Sequence, residues 1–358
     1  MLPAYNQQLI NILARIAPGT ELREGLERIL RSRTGALIVL GNDKTVQSMA
    51  SGGFTINTEF SATRVRELAK MDGAIICDGH ASMLLNAGVQ LLPDPTIPTN
   101  ESGTRHRTAE RVALQTGFPV IAVSSSMSMI SIYVSGTRYT LENTQTLMSR
   151  ANQAIQTLES YTKRLKQILS SLSSLEIEAN VTLRDVAATL QRMEMVRRIS
   201  FEVNHYVLEL GTSGRLIALQ LEELNQPEQP GAGTILHDYL PSPTDKRRKD
   251  VGKAIKALAN LEDKDIVDLS NIAQAIGFAG QDLNTPLSPR GYRLLSGIKS
   301  MPATVMDRLV EEFDGLQGLM AANLEEIRAV EGIGEQRASL IRESLSRMAE
   351  SSLLERFM

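Results

Sequence analysis

GTRHRTAERVALQTGFPVIAVS, residues 103–124, reads as a helix followed by a strand. Gly117 stands where a helix stops, and Pro119 just beyond keeps it from resuming. The apolar run that follows has the length of a buried strand. The same stretch sets Arg105, His106, Arg107 and Arg111 close together in a chain whose net charge is -3. A helix beginning near Thr108 would present unpaired N–H groups and the positive end of its dipole to an anion. Gly103 lets the backbone approach closely, Thr104 and Thr108 offer hydroxyls, and the guanidinium forks of Arg105 and Arg107 match phosphate oxygens. This combination points to a polyphosphate site. The local residues equally allow a solvated loop in which Thr104 or Thr108 is only a helix cap, with Arg111 paired to an acid.

Outward from this stretch, short apolar runs alternate with helical spacing. ELREGLERILR (21–31) and SATRVRELAKM (61–71) have helical periodicity, while GALIVLG (35–41), DGAIICD (72–78) and MISIYVSGTRYTL (129–141) read as strands. Residues 1–140 therefore form an α/β domain, a mixed sheet with helices around it. Asp72 and Gly73 sit at the mouth of a predicted strand, where a carboxylate can hold a divalent cation or accept a proton from a hydroxyl. An Asp-Gly pair there is also an ordinary turn. Asp78, at the far end of that strand, reads as structural. Ser124 ends a strand and can donate to a phosphate oxygen, whereas Ser125, Ser126 and Ser128 read as a turn. His80, His205 and His237 lack ligand spacing.

From residue 141 the pattern changes. Leu147, Ala151, Ala154, Leu158, Tyr161, Leu165, Ile168, Leu172 and Leu175 recur in steps of four and three, which predicts one long helix with a narrow apolar seam, or else an ordinary bundle helix. Thr182 and Asp185 have the spacing of a capping box, so a second helix starts there. NQPEQPGAG (225–233) and LPSPTDKRRKD (240–250) read as loops, and the basic run Lys246–Arg247–Arg248–Lys249 reads as a solvated helix entrance, with a phosphate patch as the lesser possibility. Pro289 and Gly291 punctuate a boundary near 288. The expected domains are thus 1–140, an all-helical spine at 141–287, and a compact helical domain at 288–358.

That last domain carries NLEEIRAVEGIGEQRASLIRESL (323–345), which fits a helix–hairpin–helix. Asn323 caps the first helix with Glu326 three residues on. Gly332 and Gly334 flank Ile333, which turns inward, and the N–H groups starting the second helix face a phosphate, with Arg337 and Arg342 adding charge. Such contacts read the nucleic-acid backbone and not its sequence. SGIKSMPATVMDRLVEEF (296–313) looks like a degenerate partner hairpin, with Gly297, Ile298 and Pro302 in its turn.

Composition bounds the rest. The 358 residues predict two or three domains, and 42% apolar residues supply real cores. Cys77 is the sole cysteine, which excludes an intramolecular disulfide and a multi-cysteine metal site. The N-terminus lacks the pattern of a signal peptide, and no run approaches the ~20 apolar residues of a membrane span, so a cytoplasmic protein with no membrane partner is expected. The acidic balance means that any DNA contact is local or multiplied by oligomerisation.

The order of Asp-Gly-Ala at 72–74, GTRHRTAER at 103–111, a helical middle and a terminal helix–hairpin–helix resembles the DisA family, DNA-integrity scanning diadenylate cyclases, over essentially the whole chain. The resemblance implies an enzyme that condenses two ATP into cyclic di-AMP and two pyrophosphates. Its cyclase domains would meet face to face within an octamer. It also implies binding to branched DNA such as a Holliday junction, with DNA inhibiting synthesis. By the same resemblance Asp72 would position Mg2+ or Mn2+ and help activate the attacking hydroxyl. Gly73 would let the nucleotide lie close, and the backbone at Leu91 would meet adenine. Thr104, Arg105, His106, Arg107, Thr108 and Ser124 would hold the triphosphate. Asp72, Arg105, His106 and Arg107 would be catalytic, and Gly332, Ile333, Gly334 and Arg337 would contact DNA. One departure stands out: some family members carry arginines where this chain has Ser125, Ser126, Met127 and Ser128. Weaker ATP binding, or a substitute from the neighbouring subunit, is therefore expected. The competing readings are a non-enzymatic DNA-binding scaffold with a regulatory nucleotide site, and a plain ATP hydrolase.

Overall fold

A computed structural model describes residues 7–225, 231–241, 244–299 and 301–355. The chain divides into two compact units, Leu2–Ala154 with Glu202–Leu221, and Ile155–Phe201 with Glu222–Met358.

The first unit is built on β1 (Ala36–Leu40). Its residues ALIVL are all buried, a continuous apolar run and not an alternating one, because both faces of the strand are covered. To one side lies β4 (Ala74–Cys77), the only parallel neighbour, and to the other β6 (Val120–Ser124), antiparallel. The sheet continues through β5 (Met83–Leu91) to β2 (Ala50–Ser51) and β3 (Phe54–Glu59) on one flank, and through β7 (Met129–Val134) to β8 (Thr137–Leu141) on the other. A two-residue turn at Ser135 and Gly136, both at positive φ, joins β7 to β8. On one face, Ile38, Leu40, Ile75, Ile121 and Val123 pack with α1 (Gln7–Arg15), α2 (Glu21–Arg31) and α4 (Ala62–Leu68). On the other, Leu37, Val39, Ala74 and Val120 pack with α3 (Lys44–Met49) and α5 (Thr104–Thr116). Cys77, in this core, is fully buried and its thiol is pushed up to about 12, chiefly by burial.

Two long helices follow, α6 (Thr144–Ile177) and α7 (Leu183–Leu210). Thr182 donates from both its backbone N–H and its hydroxyl to Asp185, 2.9 and 2.6 Å, which starts α7 where the spacing predicts. One row of the narrow seam is corrected. In α6 the fully buried positions are Leu147, Ala151, Ile155, Leu158, Thr162, Leu165, Leu169, Leu172 and Glu176. Ala154, Tyr161, Ile168 and Leu175 are only half-buried. From Ala151 to Glu176 the buried positions keep the four-and-three spacing, with one of the two expected rows moved on by a residue, to Ile155, Thr162, Leu169 and Glu176. A 3₁₀ turn at Gly211–Gly214 leads into α8 (Arg215–Leu224).

The second unit contains α9 (Ala232–Tyr239), α10 (Thr244–Asn260), α11 (Leu269–Ala275), α12 (Tyr292–Ser296), α13 (Ala303–Glu312), α14 (Leu316–Ala321), α15 (Leu324–Ala329) and α16 (Glu335–Glu355). Most of the loop expected at 225–233 lies outside the described residues, as do residues 242 and 243 of the second expected loop. The rest of that second loop is corrected: α10 already begins at Thr244 and carries the basic run. Arg247 is only 8% exposed because helical phase turns it toward the side that Val251 and Ala254 bury.

One apolar cluster gathers Leu165–Leu190 of α6 and α7 with α9–α11, and a second gathers Tyr292–Leu345. A buried polar knot joins them. Asp238, at the end of α9, accepts the N–H groups of Gly291, Tyr292 and Arg293 at 2.7, 2.6 and 2.7 Å, capping α12. Burial, then the nearby Glu176, pushes Asp238 up to about 7 against those three bonds. Arg293 clasps both oxygens of Glu176 and donates to Ser173 Oγ at 2.8 Å, and Tyr239 donates to Glu176 at 2.6 Å. Removing one member strands a buried charge. Arg293→Leu is expected to destabilise the second unit by about 3–5 kcal/mol, measured as a lowered denaturation midpoint. An unchanged midpoint would show that the pair contributes nothing to its stability.

Candidate functional site

Register decides which residues meet at the end of the sheet. Leu37 pairs with Ala74, Ala36 with Val123, Ala74 with Val89, and Ala50 with Leu91. The starts of β1 and β4 and the ends of β5 and β6 therefore lie at one edge, which brings Asp72, Gly73, Leu91 and Ser124 together there. The first turn of α5 reaches the same edge. Arg105 donates to the Val123 carbonyl at 3.3 Å, and its guanidinium covers Gly35 so closely that a Cβ on Gly35 would lie 2.2 Å from Nη1. Acid and cations thus share one end of the first unit.

The helix starts one turn earlier than the sequence predicts. Gly103 is extended and acts as the N-cap, Arg107 N–H bonds back to its carbonyl at 2.8 Å, and Thr104, Arg105 and His106 form the first turn. Thr108 is in the second turn, where N–H groups bond within the helix, so only its hydroxyl remains for a ligand. Side chains of Thr20, Asp43 and Ser61 cap α2, α3 and α4, whereas no side chain caps α5. Its leading N–H groups are left for an anion. Thr104, Arg105 and Arg107 are exposed. Arg107 donates to the carbonyls of Glu101 and Ser102, 3.5 and 3.3 Å. Arg105 and Arg107 bond to carbonyls, with no ion pair to either among the described residues, so their charge stays available. Among the described residues Arg111 makes no ion pair; it holds the preceding loop through the Ile97 carbonyl at 2.9 Å, and after the bonds from Thr96 its charge helps to lower the pKa of Asp94 in that loop.

His106 is corrected from surface cation to buried neutral imidazole. It is 7% exposed, and burial, then Arg138, pushes its pKa below the usual histidine value. The Tyr133 hydroxyl donates to Glu101 at 2.9 Å, so its oxygen accepts the His106 Nδ1–H at 2.8 Å. Arg138 closes the chain on Glu101 at 2.9 and 3.1 Å. His106 therefore anchors the first turn of α5 to β7. Glu101, Tyr133, Arg138 and Gly35 escape the sequence reading, because their partners are distant in the chain. A tyrosine inside the apolar run 129–134 is the one visible signal.

Asp72 is exposed. Gly73, at φ +104°, has room for no side chain: a Cβ would lie 2.6 Å from the Gly88 carbonyl carbon. The close approach that demands glycine is that of β5. The Leu91 side chain is buried in the core, which leaves only its backbone for a ligand. Ser124 is buried, its hydroxyl 3.2 Å from that of Ser126 and within 3.4 Å of the Met127 N–H, so it braces the turn Ser124–Met127.

In the second unit, Asn323 and Glu326 make the reciprocal capping box that opens α15. Gly332 takes φ +87°, Ile333 is buried, and α16 follows directly. Arg337 is half-buried and donates back to the Gly332 carbonyl at 2.8 Å, while Arg342 is engaged with the Met320 carbonyl at 2.8 Å and braces α14. Ile298 is buried in the partner hairpin, between α12 and α13.

Two family models match the chain: one described as DisA bacterial checkpoint controller nucleotide-binding, over residues 23–138, and one as DisA bacterial checkpoint controller linker region, over residues 141–284. The chain is 54% identical over 347 residues to a DNA integrity scanning protein DisA of Streptomyces coelicolor, covering 96% of this chain and 93% of that protein. It is 54% identical over 353 residues to a protein of the same description from Acidothermus cellulolyticus, covering 98% and 96%.

Gly35→Ala is expected to push the Arg105 guanidinium off the sheet edge while leaving the fold intact. ATP binding by calorimetry should weaken about tenfold, the worth of one charge-assisted hydrogen bond. Unchanged affinity would remove Arg105 from the nucleotide site.

Proposed function

The chain belongs to the DisA family of diadenylate cyclases, and from that premise we propose that the β1 edge binds one ATP, that a facing subunit presents the second, and that the C-terminal hairpins grip branched DNA. The observation that carries this reading is the convergence of Asp72, the uncapped start of α5, Arg105 and Ser124 on a single edge.

Each ribose 3′-hydroxyl attacks the α-phosphorus of the other ATP. A 3′-oxygen–phosphorus bond forms, the α–β bridging bond breaks, and pyrophosphate leaves with the electron pair. Phosphoryl-type transfers depend mostly on positioning and charge neutralisation. Arg105, Arg107 and the α5 N–H groups supply positive charge to the triphosphate and to the departing pyrophosphate. The Asp72 carboxylate accepts the hydroxyl proton or orients the hydroxyl. His106 acts indirectly, as a positioning residue that fixes the first turn of α5. Thr104, Thr108 and the Leu91 backbone border the nucleotide. Ser124 shapes the turn that takes the place of the arginines some relatives carry.

A divalent ion fits this edge in one way. Among the described residues no cluster of three metal-ligating side chains exists; Asp72, the residue the family resemblance points to, would hold the ion together with phosphate oxygens and water. That donor set suits Mg2+ or Mn2+. The ion supplies charge neutralisation on the phosphates.

At the other unit, Gly332 and the start of α16 offer N–H groups to a DNA phosphate, with Arg337 alongside. Contacts of this type favour backbone geometry, and a Holliday junction is the proposed shape, its binding inhibiting synthesis. An octamer with cyclase domains face to face would pair the two active edges and multiply the weak DNA contacts. No helix among the described residues is long and apolar enough to cross a membrane.

Incubation of purified protein with ATP and Mg2+ or Mn2+ should yield cyclic di-AMP; ADP or no product would sink the reading. Asp72→Asn should abolish product with an unchanged circular dichroism spectrum, and full synthesis by that variant would remove Asp72 from the mechanism. Gly332→Val with Gly334→Val should weaken binding to a four-way junction at least tenfold and spare basal synthesis. Undiminished binding would locate the DNA contact elsewhere. Titrating junction DNA into wild type should lower the rate of synthesis.

A further inference from the structure

The basic run at 246–249 is unexplained by either site. In α10, Lys246, Lys249, Lys253 and Lys256 are all exposed, while Arg247, Val251, Ala254 and Leu258 are buried. At 100° per residue the four lysines fall within an arc of about 80°, directly opposite the buried face. They form one stripe along the outside of the helix, roughly 15 Å long at 1.5 Å per residue. Among the described residues only Lys253 has an acidic partner, Asp250 at 2.7 Å. Such a concentration of charge stands out in a chain whose net charge is -3.

The start of α10 lies beside α12 and α13, the helices of the proposed partner hairpin. Arg247 and Arg248, at the start of α10, line a groove whose other wall is Ser296, Thr304 and Asp307 of α12 and α13. α12 is in turn locked to α9 through Asp238. The lysine stripe lies on the side of α10 away from this groove, so a duplex arm reaching it would pass over the outside of the helix.

We propose that the exposed face of α10 is a second contact for the nucleic-acid backbone, engaging the phosphates of a duplex arm next to the one gripped by the hairpins. A stripe of this length matches about four nucleotide steps along one strand at 3.4 Å each. The lysines are flexible point charges, so they add affinity without sequence preference and without fixing a single geometry. This inference rests on the hairpin reading above and extends its footprint.

The test uses the full-length protein with Lys249→Ala and Lys256→Ala together, beside the hairpin variant and wild type. The lysines are exposed, so melting temperature and basal cyclic di-AMP synthesis should not change. Binding of a four-way junction is measured over a range of salt concentrations. Each lost phosphate contact reduces the slope of log K against log salt by about 0.9, so the double variant should lose about 1.8 and bind at least tenfold more weakly at low salt. Wild-type slope and affinity would overturn the proposal. If the lysine variant weakens while the hairpin variant binds fully, the hairpin reading fails and the α10 contact stands. If the lysine variant loses binding to anionic phospholipid vesicles but not to DNA, the partner is a lipid surface and the proposal is wrong.

Discussion

Both halves of the edge that gathers Asp72 and Arg105 hang on one buried strand. β1 holds β4 parallel on one side and β6 antiparallel on the other, through Leu37↔Ala74 and Ala36↔Val123. These registers put the start of one neighbour beside the end of the other, so an acid before β4 and a carbonyl near the end of β6 meet at one edge. A one-residue slip would turn every side chain of the slipped strand to the opposite face. Arg105 then ties α5 to the edge through Val123, and His106 ties it again through Tyr133. Chemistry at the surface is aimed by packing beneath it.

The second unit answers a different physical problem. Four of its helices, α12 to α15, run only five to ten residues, and a short helix has little stability of its own. Asp238 and Glu176 supply what length does not: three N–H groups of α12 find a carboxylate, and Arg293 finds its partner.

The sequence reveals the strands whose burial is complete. Runs such as 36–40, 74–77 and 120–124 are continuous and apolar, and all are strands. β3 and β5 stay hidden because β3 is mostly exposed and polar, and because β5 carries Asn86 and Gly88 and pairs irregularly with β3 and β4. Helix phase was harder to read than helix existence. The start of α5 shifts by a turn once Gly103 serves as the cap, and Arg247 looks solvated in a charged run until α10 rotates it inward. Asp72 and Arg105 are visible as residue types with the right chemistry. That they share an edge is a matter of pairing between residues far apart in the chain, which no local pattern contains. The Glu101–Tyr133–His106 relay is invisible for the same reason.

Cys77 lies sealed in the sheet with its thiol pushed up to about 12. Thiolate is the reactive form, so this sulfur is chemically silent near neutral pH. Peroxide reaching the protein would therefore meet thioethers instead, and two exposed ones, Met71 and Met127, flank Asp72 and Ser124 in sequence. Sulfoxide formation would place a polar group beside Asp72 and in the turn after Ser124, and it is reversible by reductases. Oxidative damage to this chain would thus register as a change in side-chain polarity around its substrate, with no covalent cross-link left behind.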